Sequence, residues 1–329
     1  MKRMIYLGLL CAMLCFASGC DKKEQQSESI QEITMVLDWT PNTNHTGLYV
    51  AQEKGYFEEA GLKVSIVQPP SDGAVDMVAS EGAQFGIGFQ DTLAAAFGTD
   101  TPLPVTAVGA VLQHNTSGLV SLKEKGIDSP GKLEGYNYAT WDSPVEQAVL
   151  KNVVEEDGGD FDKVSLISTY VEDIVAALNA DIDNVWIYQG WDGIKLQLEQ
   201  IDTNYLPFAD MNPVFDYYSP VIIANNTFLE ENQETAKAFM EAVKKGYEYA
   251  AAHPEESAEI LLQAAPELDE ALVKASQEYL STQYMADADA WGIIDPQRWN
   301  AYYNWINENQ LTEREIPENT GFSNQYLPE

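Results

Sequence analysis

Beyond residue 20 this 329-residue chain has no cysteine; its three, Cys11, Cys15 and Cys20, all fall at the start. That excludes a disulfide, a thiolate metal site and a cysteine nucleophile from the rest of the protein. Histidine is almost as scarce. His45, His114 and His253 stand far apart, without the spacing of a zinc site, so no metal is expected. Basic residues are few: 18 Lys and Arg face 52 Asp and Glu, a formal net charge of −34. Such a chain repels nucleic acid and anionic lipid, and neither is expected as a partner. A phosphate loop, a dinucleotide-binding glycine pattern and a G-x-S-x-G elbow are all missing. No catalytic residue and no cofactor is therefore expected.

What is present begins at the N-terminus. Lys2 and Arg3 precede an apolar run, Ile5 to Phe16, which ends in Ala17-Ser18-Gly19-Cys20. This reads as a secretory signal over residues 1–19, too short for a membrane span. The cysteine at the cleavage point is similar to a bacterial lipobox and marks Cys20 for lipidation. The protein is then expected on the outer face of the cell membrane, held by a lipid anchor. Residues 20–32 are rich in Lys, Glu, Gln and Ser and read as a flexible tether.

From residue 33 to about 225, short β-branched runs alternate with helical stretches. Strands are expected at 33–37, 62–67, 85–88, 105–112, 136–140, 164–168 and 184–188. Helices are expected at 46–60, 73–81, 90–97, 144–156, 171–180 and 191–200. Such alternation predicts parallel sheets with crossover helices, an α/β fold. After a lone strand at 220–224 the pattern turns helical, over 229–252, 255–265, 268–281 and 296–309. Gly, Ser and Pro cluster at 113–131, and a second break falls at 212–226. The expected organisation is two lobes, with 33–115 and 225–329 forming the first and 116–224 the second.

Three loops at strand ends carry the candidate site, because open α/β sheets bind ligands beyond the carboxyl ends of their strands. The first holds Asp38, Trp39, Asn42, Asn44 and His45: a carboxylate, a stacking surface and varied hydrogen-bonding edges. The second holds Trp141 and then Ser143, Pro144, Val145, Glu146 and Gln147. Ser143 fits an N-cap, Pro144 the first helical position and Glu146 the reciprocal capping position, which alone accounts for those three. The third holds Tyr188, Trp191 and Asp192. Gln90 and His114 occupy comparable strand ends.

The stretch Leu37–Leu62, containing DWTPNTNHTGLYVAQEKGYFEEAGL, resembles the NMT1/THI5-like group of periplasmic-type binding proteins. The resemblance implies a two-lobed type II periplasmic-binding-protein fold, with its ligand between the lobes and an ABC transporter permease as partner. It implies N-formyl-4-amino-5-aminomethyl-2-methylpyrimidine as ligand, captured for thiamin salvage. It places Asp38, Trp39, Ser143 to Gln147 and Tyr188 at the ligand, with a flat ring between Trp39 and Tyr188. The group also includes riboflavin-binding members and yeast pyrimidine synthases. The synthases consume a histidine similar to His45 but carry a cysteine-rich iron motif that has no counterpart after Cys20.

Overall fold

The structure, a computed structural model, describes residues 30–71 and 73–328. The expected signal peptide and Cys20 lie outside these residues. Gln31 and Glu32, expected in the tether, instead open the first strand.

Ten strands form two five-stranded sheets. The first contains β1 (Gln31–Val36), β2 (Leu62–Val67), β3 (Phe85–Gly88), β4 (Val105–Ala110) and β10 (Val221–Asn225), in the order β2-β1-β3-β10-β4. The second contains β5 (Ser117–Leu122), β6 (Asn137–Thr140), β7 (Ser165–Ser168), β8 (Asn184–Tyr188) and β9 (Thr203–Pro207), in the order β7-β6-β8-β5-β9. Each sheet has three parallel strands followed by an antiparallel one. That antiparallel strand, β5 or β10, is the one that brings the chain in from the other lobe. Strand β3 reads Phe85-Gly86-Ile87-Gly88 and is buried throughout, as a strand covered on both faces must be.

Two strands were not expected from the sequence. The 113–131 segment holds β5, whose Ser and Gly resemble a linker, and β9 ends in Pro207 at the edge of its sheet. Because β10 pairs with β3 and β4, the return to the first lobe precedes Val221, ahead of the expected boundary at 224. The helix expected at 46–60 is two, Thr46–Glu53 and Tyr56–Glu59, split at Gly55 with φ of 76°. Only glycine enters that left-handed region without cost.

The helical tail clamps the assembly. Helix Gln233–Ala252 buries Ala236, Phe239, Met240, Val243, Tyr247 and Ala250 along one stripe. It touches helix Thr46–Glu53 so closely that a Cβ on Gly246 would lie 2.0 Å from the Gly47 carbonyl oxygen. The last helix, Pro296–Glu308, packs against the second crossing. Phe215 meets Trp305 at 5.0 Å between ring centroids, and Tyr217 meets Tyr302 at 4.2 Å. Each such buried ring contributes about 1.5–3 kcal/mol. Among the described residues no helix is long and apolar enough to cross a membrane.

Candidate ligand-binding site

A cleft of about 430 Å³ opens between the two sheets. Its walls come from β6 and β8 themselves and from the segments that follow β1, β3, β6, β7 and β8, all of them parallel strands. The carboxyl ends of both sheets therefore face one space, as the strand-end rule requires.

The first lobe supplies Asp38, Trp39, Asn42, Asn44 and Phe89. The loop after β1 is held by its own side chains. His45 is fully buried; its Nδ1 accepts the Asn42 backbone N–H at 3.2 Å. The other ring nitrogen then carries the proton, and Nε2–H donates to Asp38 Oδ1 at 2.7 Å. Asn42 Oδ1 accepts the Asn44 backbone N–H at 2.9 Å. Two tail tyrosines fix the loop backbone: Tyr247 donates to the Asn44 carbonyl and Tyr284 to the Thr43 carbonyl, each at 2.7 Å. His45 thus orients Asp38 from behind and does not itself line the cleft.

The second lobe supplies five rings: Trp141, Tyr170, Trp186, Tyr188 and Trp191. Trp141 stands edge-on to Trp186, with centroids 5.3 Å apart. A π-helical turn, Gln189–Gly193, projects Trp191 and Asp192 into the cleft. Such turns recur at functional sites. Burial pushes the Asp192 carboxyl up to about 6, against the pull of Lys195. Burial, with Asp91, Asp38 and Asp192 nearby, pushes the Tyr188 hydroxyl well above its ordinary range. Tyr188 is therefore a neutral donor at any physiological pH.

The structure gathers seven of the fourteen residues expected to contact ligand: Asp38, Trp39, Asn42, Asn44, Trp141, Tyr188 and Trp191. The helix start from Ser143 to Gln147 does not line the cleft. Ser143 caps the helix Pro144–Glu156, and Glu146 turns into the lobe. Its two oxygens accept the Tyr138 hydroxyl at 2.8 Å and the Thr140 hydroxyl at 2.7 Å, while burial raises its pKa. His114 lies at the lobe crossing, between Asp216 at 2.7 Å and Asp287 at 2.9 Å. Gln90 is buried, bonded to Tyr218 N–H and the Trp299 carbonyl. Phe89, Trp186 and the 169–172 loop were missed. Extending the strand-end rule to every parallel strand points to Phe89 and the 169–172 loop, whereas Trp186 lies inside β8, where that rule does not reach.

The chemistry of the walls is one-sided. Of the sixteen lining residues seven are aromatic, three are carboxylates (Asp38, Glu172 and Asp192), and none is Lys, Arg or His. The cleft can stack a flat ring and attract positive charge, and it offers no cation to an anion. Trp39, Trp141 and Tyr170, the exposed large aromatics of the described residues, at 42%, 48% and 68% exposure, all line it.

Two five-stranded sheets of this order, closing on a cleft at their carboxyl ends, make the fold that of a type II periplasmic binding protein. The alkanesulfonate-binding protein SsuA from Xanthomonas axonopodis pv. citri, solved with MOPS, superposes with a TM-score of 0.68 at 11% identity, covering 89% of this chain and 98% of that one. A family model described as NMT1/THI5 like matches residues 42–257, and the chain belongs to that family. It is 31% identical to a formylaminopyrimidine-binding protein of Halalkalibacterium halodurans, over 98% of this chain and 99% of the relative. It is also 25% identical to a 4-amino-5-hydroxymethyl-2-methylpyrimidine phosphate synthase of Aspergillus parasiticus, over 87% of this chain and 91% of the relative.

Proposed function

We propose that this protein is the extracytoplasmic substrate-binding component of an ABC importer, and that its cargo is an uncharged or cationic aminopyrimidine of the formylaminopyrimidine type. The observation that carries the reading is the cleft itself, where the exposed aromatics converge beside three carboxylates and no cation. An aminopyrimidine is flat, so its faces can stack between rings of the two lobes, each pair worth about 0.5–1.5 kcal/mol beyond area burial. Its amino group and ring nitrogen match a carboxylate such as Asp38, most strongly when the ring is protonated. The name of the Halalkalibacterium relative supports the cargo, and a Staphylococcus aureus protein of the same fold, described as the ligand-binding component of an ABC-type import system, suits the importer role. In this reading Cys20 carries a lipid, residues after it tether the protein outside the membrane, and the loaded protein delivers its pyrimidine to a permease for thiamin salvage.

A synthase role has less support. The buried His45 is engaged at both ring nitrogens. A phosphate ester product would meet three carboxylates and no cation. The deciding experiment is calorimetric titration of the protein starting at Asp21. Binding of N-formyl-4-amino-5-aminomethyl-2-methylpyrimidine, with none of hydroxymethylpyrimidine phosphate, is expected. Tighter binding of the phosphate ester overturns the reading, and riboflavin binding in place of the pyrimidine changes the cargo alone. Cys20→Ser is expected to move the protein from the membrane fraction to the soluble one.

A further inference from the structure

One fully buried hydroxyl joins the two halves of the cleft. Ser276 lies on the tail helix Glu270–Ser281, far in sequence from either ligand-facing loop. Its Oγ is 2.5 Å from Thr43 Oγ1 and hydrogen-bonds the Gly190 carbonyl. The direction of the chain follows from proton counting. A carbonyl only accepts and Ser276 has one hydrogen, so Ser276 donates to Gly190 and accepts from Thr43. Thr43 lies between Asn42 and Asn44, which line the cleft from the first lobe. Gly190 precedes Trp191 and Asp192, which line it from the second.

The tail helix is a fixed support for this link. Asp269 caps its first turn, accepting Leu272 N–H at 2.8 Å. Gln277 donates to the Ala250 carbonyl at 3.3 Å, and its Oε1 lies 3.0 Å from the hydroxyl of Tyr284, the residue that holds the Thr43 carbonyl. On the other side the π-helical turn comes so near that a Cβ on Gly190 would lie 2.9 Å from Leu280. Glycine at 190 and a hydroxyl at 276 are both conditions of that approach.

We propose that Ser276 is a positioning residue for the ligand, which sets the spacing between the first-lobe loop and the second-lobe turn. It touches no cargo. It acts through Thr43 and Gly190, and its removal loosens both loops at once. The inference rests on the ligand-binding reading of the cleft, but its first test needs no ligand.

In the full-length ligand-free protein, Ser276→Ala keeps a good helix former and removes both hydrogen bonds. Amide hydrogen exchange at Asn44 and His45, and at Trp191 to Ile194, is expected to accelerate roughly tenfold at both places. Acceleration at one place only, or at neither, overturns the proposal. The same variant, titrated with the formylated aminopyrimidine, is expected to bind roughly tenfold more weakly through faster dissociation, with the fold retained by circular dichroism. Thr43→Val is expected to cost a similar factor, and the double variant no more than the larger single one. Affinity of Ser276→Ala within twofold of wild type, where wild type binds, overturns the proposal. If wild type binds no aminopyrimidine, the cargo assignment fails and the exchange result decides the role of Ser276.

Discussion

The two lobes are built on one plan and use it differently. In each, the segment after an interior parallel strand brings a tryptophan to the cleft and carries a carboxylate close by in sequence: Asp38 and Trp39 after β1, and after β6 Trp141 followed by Glu146 in the helix Pro144–Glu156. In the first lobe the carboxylate faces the cleft, and His45, Asn42 and two tail tyrosines lock the loop behind it. In the second the carboxylate turns inward to Tyr138 and Thr140, and the exposed Trp141 is left as the contact. The first lobe presents one carboxylate preset by its hydrogen bonds, and the second presents five of the seven rings with Glu172 and Asp192 beside them. Equivalent topological positions therefore identify which segments reach the cleft, and the hydrogen-bond partners decide which side chain faces it.

That contrast can be broken by mutation. The largest expected effect is on binding by Asp38→Asn, which keeps the His45 hydrogen bond and removes the charge. Affinity for the aminopyrimidine is expected to fall roughly 10- to 100-fold by calorimetry, since a charge-assisted bond of ~1.5–3 kcal/mol is lost. Glu146→Gln, the counterpart in the second lobe, is expected to lower stability by about 1–3 kcal/mol in urea melts, because two buried hydroxyls lose a carboxylate. Its affinity is expected to stay within about twofold; a tenfold loss makes Glu146 a ligand contact and ends the contrast. Trp39→Ala and Trp141→Ala test the shared part. Each is expected to weaken binding about 5- to 30-fold by tryptophan-fluorescence titration, with melting temperature nearly unchanged, because both rings are exposed before ligand arrives.

The smallest effect concerns pH. Asp192 in the second lobe and Asp91 in the first are each pushed up to about 6 by burial. A carboxyl whose folded pKa lies above its unfolded value of about 3.9 favours folding only while protonated. Stability of the ligand-free protein is therefore expected to decline as pH rises from about 4 through about 6 and to level off above. Thermal melts across that window check it, and Asp192→Asn is expected to flatten part of the slope. A cationic ligand beside Asp192 favours its ionised form, so binding near pH 6 releases protons, measurable as buffer-dependent binding heat. Proton release unchanged in Asp192→Asn moves the effect to Asp91 and the first lobe.

Much of this was legible in the sequence. The β-branched runs gave eight of the ten strands, and the DWTPNTNHTG loop announced the first half of the cleft. The lost strands carry Ser, Gly and Pro because β5 enters from a crossing and β9 lies at an edge, where sequence rules for buried parallel strands do not apply. The rule that found Trp39 and Tyr188 also selected His114 and Glu146, since it names a strand end and not the face a side chain takes. His114 follows a strand of the first sheet, but Asp216 and Asp287 draw its ring into the crossing. The tail's part in the site had no local signal at all. Nothing around Ser276, Tyr247 or Tyr284 distinguishes them from ordinary helix and turn positions until the chain is folded back on residues 42–47.

That return has a consequence for how the protein comes into being. A chain made from its amino end exposes the DWTPNTNHTG loop early, as soon as the first strands can pair. The groups that hold it, Tyr247 and Tyr284 at its backbone and Ser276 at the Thr43 hydroxyl, are made more than two hundred residues later. Until they arrive the loop has its side chains but not these supports, and a half-made molecule lacks one wall of the cleft.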